Sequence, residues 1–123
     1  MQRICFYVDG QTVEAELYDN AAARDLLSRL PLTLEFSDYN NTEKIAYLPG
    51  EDLDVSGAPS AFDPSVGDIT VYAPWGNLAI FYRDFGNSPG LVPVGRLLND
   101  GIEVFAAMNG SFSVTISSSA SAE

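Results

Sequence analysis

The Asp9-Gly10 dipeptide constrains the fold of this chain more than any other feature, because it joins two segments in which apolar and polar residues alternate. Asp and Gly tolerate the positive φ angles of a type I′ turn, which connects two antiparallel strands by two residues. Residues 1–17 are therefore predicted to form a hairpin in which Phe6 faces Val13 and Arg3 faces Glu16. One face of this hairpin is apolar and is formed by Ile4, Phe6, Val8, Val13, Ala15 and Leu17.

The rest of the chain continues as short strands. Six further segments have the alternation and the bounding turn residues of strands: 32–36, 43–48, 69–73, 78–83, 92–97 and 110–117. Asn20 is suited to cap a short helix over 21–29 that ends before Pro31, and Asn99 or Asp100 to cap a second one. Seven or eight short strands with two short helices predict a mainly β fold, a closed and roughly eight-stranded barrel. Closure also removes the open edges of the first and last strands.

A second hairpin is predicted over residues 69–83, with its turn at residues 74–77. Closing the turn there places Tyr72 opposite Ala79 and Thr70 opposite Phe81. One face then carries Ile69, Val71, Leu78 and Ile80, and the other carries Thr70, Tyr72, Phe81 and Arg83. Two segments rich in Gly and Pro, 49–67 and 84–92, flank this hairpin, and the long 49–67 segment is either a functional or a mobile loop.

A length of 123 residues suits one domain, which we assign to residues 1–117, followed by a flexible Ser/Ala tail over 118–123. No apolar run has the roughly 20 residues that a membrane helix requires. The N-terminus does not resemble a signal peptide, because its short apolar stretch soon meets Asp9. Cytoplasmic is therefore the default location, although a chain whose leader had been removed would read the same.

Composition excludes several kinds of chemistry and of partner. The net charge of −11 repels phosphate groups, so neither nucleic acid nor an anionic membrane is expected to be a partner. The absence of histidine removes the Ser-His and Cys-His nucleophile pairs and the usual zinc and iron sites. Cys5 is interpreted as an inert strand residue, and the acids Glu51, Asp52 and Asp54 as solvated loop residues. We predict no catalytic residue, metal or cofactor.

The motifs from residue 67 onward resemble those of the small bacterial cyclophilin-like proteins. They are Gly67-Asp68-Ile69, Tyr72, Pro74-Trp75-Gly76-Asn77, Phe81-Tyr82 and Gly95-Arg96. Leucine–proline steps at Leu30-Pro31 and Leu48-Pro49 extend the resemblance over nearly the whole chain. The resemblance implies an eight-stranded barrel with two helices and no established biochemical role.

The catalytic residues of true prolyl isomerases do not carry over through this resemblance. Ala46 stands where the resemblance places the essential arginine, and the histidine of the isomerase pocket has no counterpart. Phe81 matches a pocket phenylalanine. A weak or divergent peptidyl-prolyl isomerase is therefore the alternative function, and it would need Lys44 or Arg83 to replace the arginine.

The main functional prediction is a non-catalytic module that binds a small molecule or a peptide. Its predicted site consists of Tyr72, Phe81 and Arg83, with Tyr47 and Trp75 as further members. Aromatic rings beside one Arg suit an apolar ligand that carries a carboxylate or a carbonyl group. The alternative is that Tyr72 and Phe81 only pack beneath the 49–67 segment, while Arg83 is solvated.

Overall fold

A computed structural model describes residues 2–118 of the chain. Its strands are β1 (Gln2–Val8), β2 (Gln11–Leu17), β3 (Leu32–Tyr39), β4 (Glu43–Tyr47), β5 (Ala61–Phe62), β6 (Asp68–Tyr72), β7 (Asn77–Phe81), β8 (Ser88–Pro89), β9 (Leu91–Leu97) and β10 (Phe112–Ser118). Its helices are α1 (Ala21–Arg29) and α2 (Ile102–Ala106). Eight strands close into an antiparallel barrel in the order β1-β10-β3-β4-β7-β6-β9-β2, while β5 and β8 form a separate two-stranded sheet. The predicted fold class is confirmed.

The first hairpin has the register that Asp9-Gly10 predicts, with Phe6 opposite Val13 and Arg3 opposite Glu16. The apolar face of this hairpin is buried in the barrel interior. Cys5 is also buried, but it lies on the opposite face, outside the main core. This part of the fold therefore follows from local turn chemistry together with the alternation of side chains.

Aliphatic side chains make up most of the barrel interior, and four phenylalanines pack among them, one of which comes from α2. Phe105 of α2 is fully buried and makes edge-to-face contacts with Phe6 and Phe36, at ring-centroid distances of 5.6 and 5.8 Å. Such contacts add stability beyond the burial of apolar area. The short second helix therefore packs onto the core through one fully buried ring.

The two helices begin differently. Asn20 caps α1 as predicted, because its side chain accepts a hydrogen bond of 2.9 Å from the backbone N–H of Ala23. The cap predicted for α2 is wrong: the N-cap is Gly101, which makes no side-chain hydrogen bond. Asn99 and Asp100 instead have φ angles of 55° and 60°. An N-cap side chain works from extended backbone, so these two residues form the preceding turn.

The register predicted for the second hairpin is wrong by two residues. Tyr72 lies opposite Asn77, and Thr70 lies opposite Ala79. The carbonyl of Tyr72 accepts hydrogen bonds from the backbone N–H groups of Trp75 (3.1 Å) and Gly76 (2.8 Å), so the turn is already complete before Asn77. Side chains alternate with a period of two, so a shift of two residues keeps every side chain on its predicted face.

The C-terminal boundary differs by one residue from the prediction. Ser118, which the sequence assigned to the tail, is the last residue of β10 and lies opposite Ile4. The remaining tail residues, 119–123, lie outside the described part of the chain. Neither helix within residues 2–118 combines the length and the apolar character needed to cross a bilayer.

A second, smaller apolar cluster lies on the outer face of the barrel. Ile45, Ala79, Phe81 and Leu91 are buried there, although they belong to the faces of β4, β7 and β9 that point away from the interior. The cover comes from the β5–β8 sheet, since Phe62 of β5 packs against this cluster. The outer surface of these three barrel strands is thereby partly enclosed.

Candidate functional site

A cavity of about 350 Å³ lies between this outer face of the barrel and the segment around β8. Its floor comes from β4, β6, β7 and β9, and its wall from the turn after β6 and the residues before β9. The lining residues are Tyr39, Glu43, Ile45, Tyr72, Trp75, Asn77, Phe81, Phe85, Asn87, Ser88, Pro89 and Leu91. Five of them are aromatic, so the cavity offers mainly ring surface to a ligand.

The floor has polar groups at its two ends and apolar groups between them. Glu43 lies opposite Phe81 at one end, where β4 pairs with β7. Asn77 lies opposite Tyr72 at the other end, where β7 pairs with β6. Ile45 occupies the middle of the floor. Phe81, the strand partner of Glu43, is four residues from Asn77 along β7, which corresponds to about 13 Å for an extended strand.

Burial changes the ionisation of Glu43. Desolvation raises the pKa of its carboxyl to about 7, and no charged or hydrogen-bonding neighbour within residues 2–118 offsets this effect. A carboxylate loses hydration when it is enclosed by apolar groups, so its neutral form is favoured. Strongly shifted carboxyl groups in a cleft are characteristic of functional sites.

Asn77 presents a second polar group that is incompletely satisfied. Its side chain is 2% exposed, and its Nδ2 donates a hydrogen bond of 3.1 Å to the carbonyl of Leu78. Its Oδ1 is buried and has no hydrogen-bond partner among the described residues. A buried acceptor without a donor costs free energy, so such groups are rare and call for an explanation.

The rim of the cavity consists of exposed aromatic rings. Tyr39, Trp75 and Phe85 are 43%, 50% and 58% exposed. The ring of Trp75 makes edge-to-face contacts with those of Tyr39 and Tyr72, at centroid distances of 5.8 and 5.4 Å. Phe85 approaches the buried ring of Phe81 at 6.2 Å. The rings thus continue from the floor to the surface without interruption.

The structure brings three of the five sequence-predicted site residues together in the cavity wall and leaves two outside it. Tyr72, Phe81 and Trp75 line the cavity. Arg83 does not, because β7 ends at Phe81 and the exposed Arg83 side chain lies beside Tyr82, with its Cζ 6.0 Å from that ring. Tyr47 also lies outside the wall and is 59% exposed.

Sequence reasoning missed Glu43, Tyr39, Asn77 and Phe85. Alternation along β4 puts Glu43 on the same face as Ile45, and this signal was available in the sequence. The sequence does not show that Glu43 is enclosed, because the 85–89 segment that lines the same cavity comes from a distant part of the chain. Asn77 was assigned to the turn and not to the strand, which concealed its place in the floor.

The residues considered for isomerase chemistry lie elsewhere. Ala46 is buried inside the barrel, on the face of β4 opposite to the cavity. Lys44 is 3% exposed, and its Nζ donates a hydrogen bond of 2.8 Å to the carbonyl of Met108. Within residues 2–118 the cavity wall therefore contains neither Lys nor Arg.

The acids of the 49–67 segment do not form a cluster with metal-binding geometry. Glu51, Asp52 and Asp54 are exposed. In the described part of the chain no group of three or more Cys, Asp or Glu side chains could hold a metal ion. Backbone carbonyls of Glu51 and Asp52 accept hydrogen bonds from Arg29, which fixes the start of this segment against α1.

The fold and the cavity together define a small closed β-barrel with a ligand-sized, aromatic-lined cleft on its outer surface. Residues 6–117 match the model of the Cyclophilin-like family. The chain belongs to this family, as its motifs predicted.

Comparison with solved structures gives a neighbour of the same fold. It is the solution structure of the hypothetical protein AF2241 from Archaeoglobus fulgidus, which aligns with a TM-score of 0.70 and 15% sequence identity. The alignment covers 96% of this chain and 95% of the archaeal chain. No similar protein was found among curated protein sequences.

Proposed function

We propose that this protein is a non-catalytic binding module that takes a small, ring-containing ligand into the cavity on the outer face of its barrel. The observation that carries the proposal is the concentration of five aromatic side chains around a volume of about 350 Å³. Small-molecule sites are typically concave, mostly apolar and about 300–1,000 Å³ in volume, with a few placed polar groups. Glu43 is the ionisable group of this kind here, and Asn87 and Ser88 add polar groups to the wall.

The exposed rim supports a binding role over simple packing. Six large hydrophobic side chains are exposed within residues 2–118, and three of them, Tyr39, Trp75 and Phe85, line this one cavity. Contiguous exposed apolar surface costs solubility and usually marks an interaction site. Packing by the β5–β8 sheet explains the burial of Phe81, but it does not explain the ring surface that remains open around the cavity.

The chemistry of the wall argues against the anionic ligand that Arg83 suggested. The ionisable group of the floor is the Glu43 carboxyl, which as a carboxylate accepts hydrogen bonds and repels anions. The isomerase alternative gains no support, because Lys44 is directed inward and Arg83 lies outside the wall. We therefore expect no measurable cis–trans turnover of a proline peptide.

Binding can be tested by titrating ¹⁵N-labelled protein with a library of small aromatic fragments and following amide shifts by NMR. We expect shifts grouped around β4, β7 and residues 85–89. Trp75→Ala should weaken the best fragment about tenfold, because a ring contact of this kind contributes about 1.5 kcal/mol. Trp75 is half-exposed, so the variant is expected to fold.

Tyr47→Ala is the matched control. It also removes an exposed aromatic ring near the outer face, but from a position outside the cavity wall. Fragment affinity should change less than twofold in this variant. Equal losses in both variants, or shifts grouped on another surface, would contradict the proposed site.

A further inference from the structure

We propose that the ligand of this cavity carries a protonated amine, and that its ammonium group binds the Glu43 carboxylate between the rings of Tyr39 and Phe81. The inference rests on the proposed binding function and adds the chemical class of the ligand. It reverses the charge that the sequence suggested, because the ionisable group in the cavity wall is an acid and not Arg83.

The strand register creates the ammonium site. Glu43 lies directly opposite Tyr39 of β3 and directly opposite Phe81 of β7. All three side chains line the cavity. Neighbouring strands are about 4.8 Å apart, so the Glu43 side chain leaves the sheet between two aromatic residues, the buried Phe81 and the exposed Tyr39. Aromatic faces attract cations, and a carboxylate adds a charge-assisted hydrogen bond to an ammonium group.

The charge of Glu43 has no counter-charge within residues 2–118. Five of the six basic side chains pair with other carboxylates: Arg3 with Glu14 and Glu16, Arg24 with Asp19, Arg29 with Asp25, Lys44 with Asp38, and Arg96 with Glu16. The sixth, Arg83, is exposed outside the cavity wall. A ligand cation would supply the missing partner and would favour the ionised form of the carboxyl group, which burial disfavours.

The rest of the cavity wall matches an apolar ligand body. Apart from Glu43 the lining residues are uncharged, and five of them are aromatic. The Oδ1 of Asn77 takes no part in this recognition, because the atom is itself buried beneath the cavity surface. An aryl-alkyl amine has this composition, with donors on its ammonium group and a ring to pack against Tyr72 or Trp75.

The test compares three probes of the same size that differ only in the terminal group: phenylpropylamine, phenylpropanol and phenylpropionate. Affinities are measured by NMR titration of the full chain at low salt and about pH 8, where Glu43 is mainly ionised. We expect the amine to bind at least about tenfold more tightly than the alcohol, and the carboxylate to bind most weakly. Glu43→Gln should make the amine and the alcohol equal.

Glu35→Gln is the matched control, because it removes the same charge from an exposed position of β3 outside the cavity wall. If both variants lose the amine preference equally, the acidic surface attracts the amine as a whole and the inference is overturned. If the alcohol binds as well as the amine and both respond to Trp75→Ala, the inference fails while the proposed binding function stands. If none of the probes or fragments binds, both fail.

Discussion

Glu43 and Lys44 are neighbours on β4, but among the described residues only Lys44 has a counter-charge. Lys44 is directed inward, and its Nζ lies 2.8 Å from the carbonyl oxygen of Met108 and 3.2 Å from Oδ1 of Asp38. It also lies 5.1 Å from the ring centroid of Tyr82. Glu43 is directed outward into the cavity, and its carboxyl group has no hydrogen bond or ion pair within residues 2–118.

The difference separates a charge that is balanced within the fold from one that no described group balances. Burial raises the pKa of Asp38, but hydrogen bonds from Tyr82, the Asn41 amide and Lys44 outweigh burial and hold this pKa below its usual value. Asp38 therefore stays ionised and balances the lysine. The carboxyl group of Glu43, by contrast, is desolvated without a compensating partner among the described residues. Its desolvation lowers the stability of the folded protein, and a cation bound beside it would offset that loss.

Removing the counter-charge of Lys44 should have the largest effect. Asp38→Asn leaves an ammonium group buried beside a neutral amide, so we expect it to lower the free energy of unfolding by about 3 kcal/mol. Chemical denaturation followed by tryptophan fluorescence measures this change. The double variant Asp38→Asn/Lys44→Met should recover more than half of the lost free energy of unfolding, because an apolar side chain of similar length needs no counter-charge. A single variant as stable as the parent would refute the structural role of the pair.

The Glu43 side of the comparison predicts a smaller effect with a distinct pH dependence. Its pKa is about 7 in the folded protein and about 4.3 in an unfolded chain, so the folded state binds the proton more tightly. Its contribution to stability is fully present below about pH 4.3 and is lost as the pH rises through 7. Glu43→Gln should therefore match the parent at about pH 4 and exceed its stability by about 1–2 kcal/mol at pH 8, since solvent screens a partly enclosed carboxyl group.

Denaturation at a series of pH values checks this prediction. Other shifted carboxyl groups, such as Asp25 and Asp68, are present in both proteins and cancel in the difference. A stability difference that is constant with pH would show that Glu43 is not desolvated. It would also weaken the argument that an ammonium ligand compensates a buried charge.

The two hairpins show how far the sequence determines the fold. At Asp9-Gly10 the strands are joined by two residues of known backbone preference, so register and faces could both be predicted. Residues 74–77 contain Pro, Gly and Asn, and several turn closures are compatible with them. Alternation of side chains fixed the faces there, but only the hydrogen bonds to the Tyr72 carbonyl determine the register.

The site was less predictable than the fold for a related physical reason. Tyr72, Phe81 and Trp75 could be found because rings on an outward face require cover or a ligand. The importance of Glu43 depends on its desolvation, and desolvation depends on segments that meet only in the folded chain. From the sequence alone, adjacent Glu and Lys residues in a short strand are expected to be two solvent-exposed side chains. Only the folded structure shows that Lys44 is buried beside Asp38 and that Glu43 lies in the cavity.

The smallest expected effect belongs to Arg83, the cation that the sequence placed in the site. Its side chain is exposed, makes no ion pair among the described residues, and lies outside the cavity wall. Arg83→Ala should change the free energy of unfolding by less than about 0.5 kcal/mol, which is typical of surface positions. It should also change the affinity for phenylpropylamine by less than about twofold, because its charge is screened by solvent.

The same NMR titration and denaturation measurements check both values for Arg83→Ala. A selective loss of phenylpropionate binding in this variant would restore Arg83 as an anion anchor and would contradict the assignment of the cavity to a cationic ligand. If Arg83→Ala changes stability and phenylpropylamine affinity by less than these limits, while Glu43→Gln removes the preference for the amine, the group that recognises charge in this cavity is Glu43 on β4.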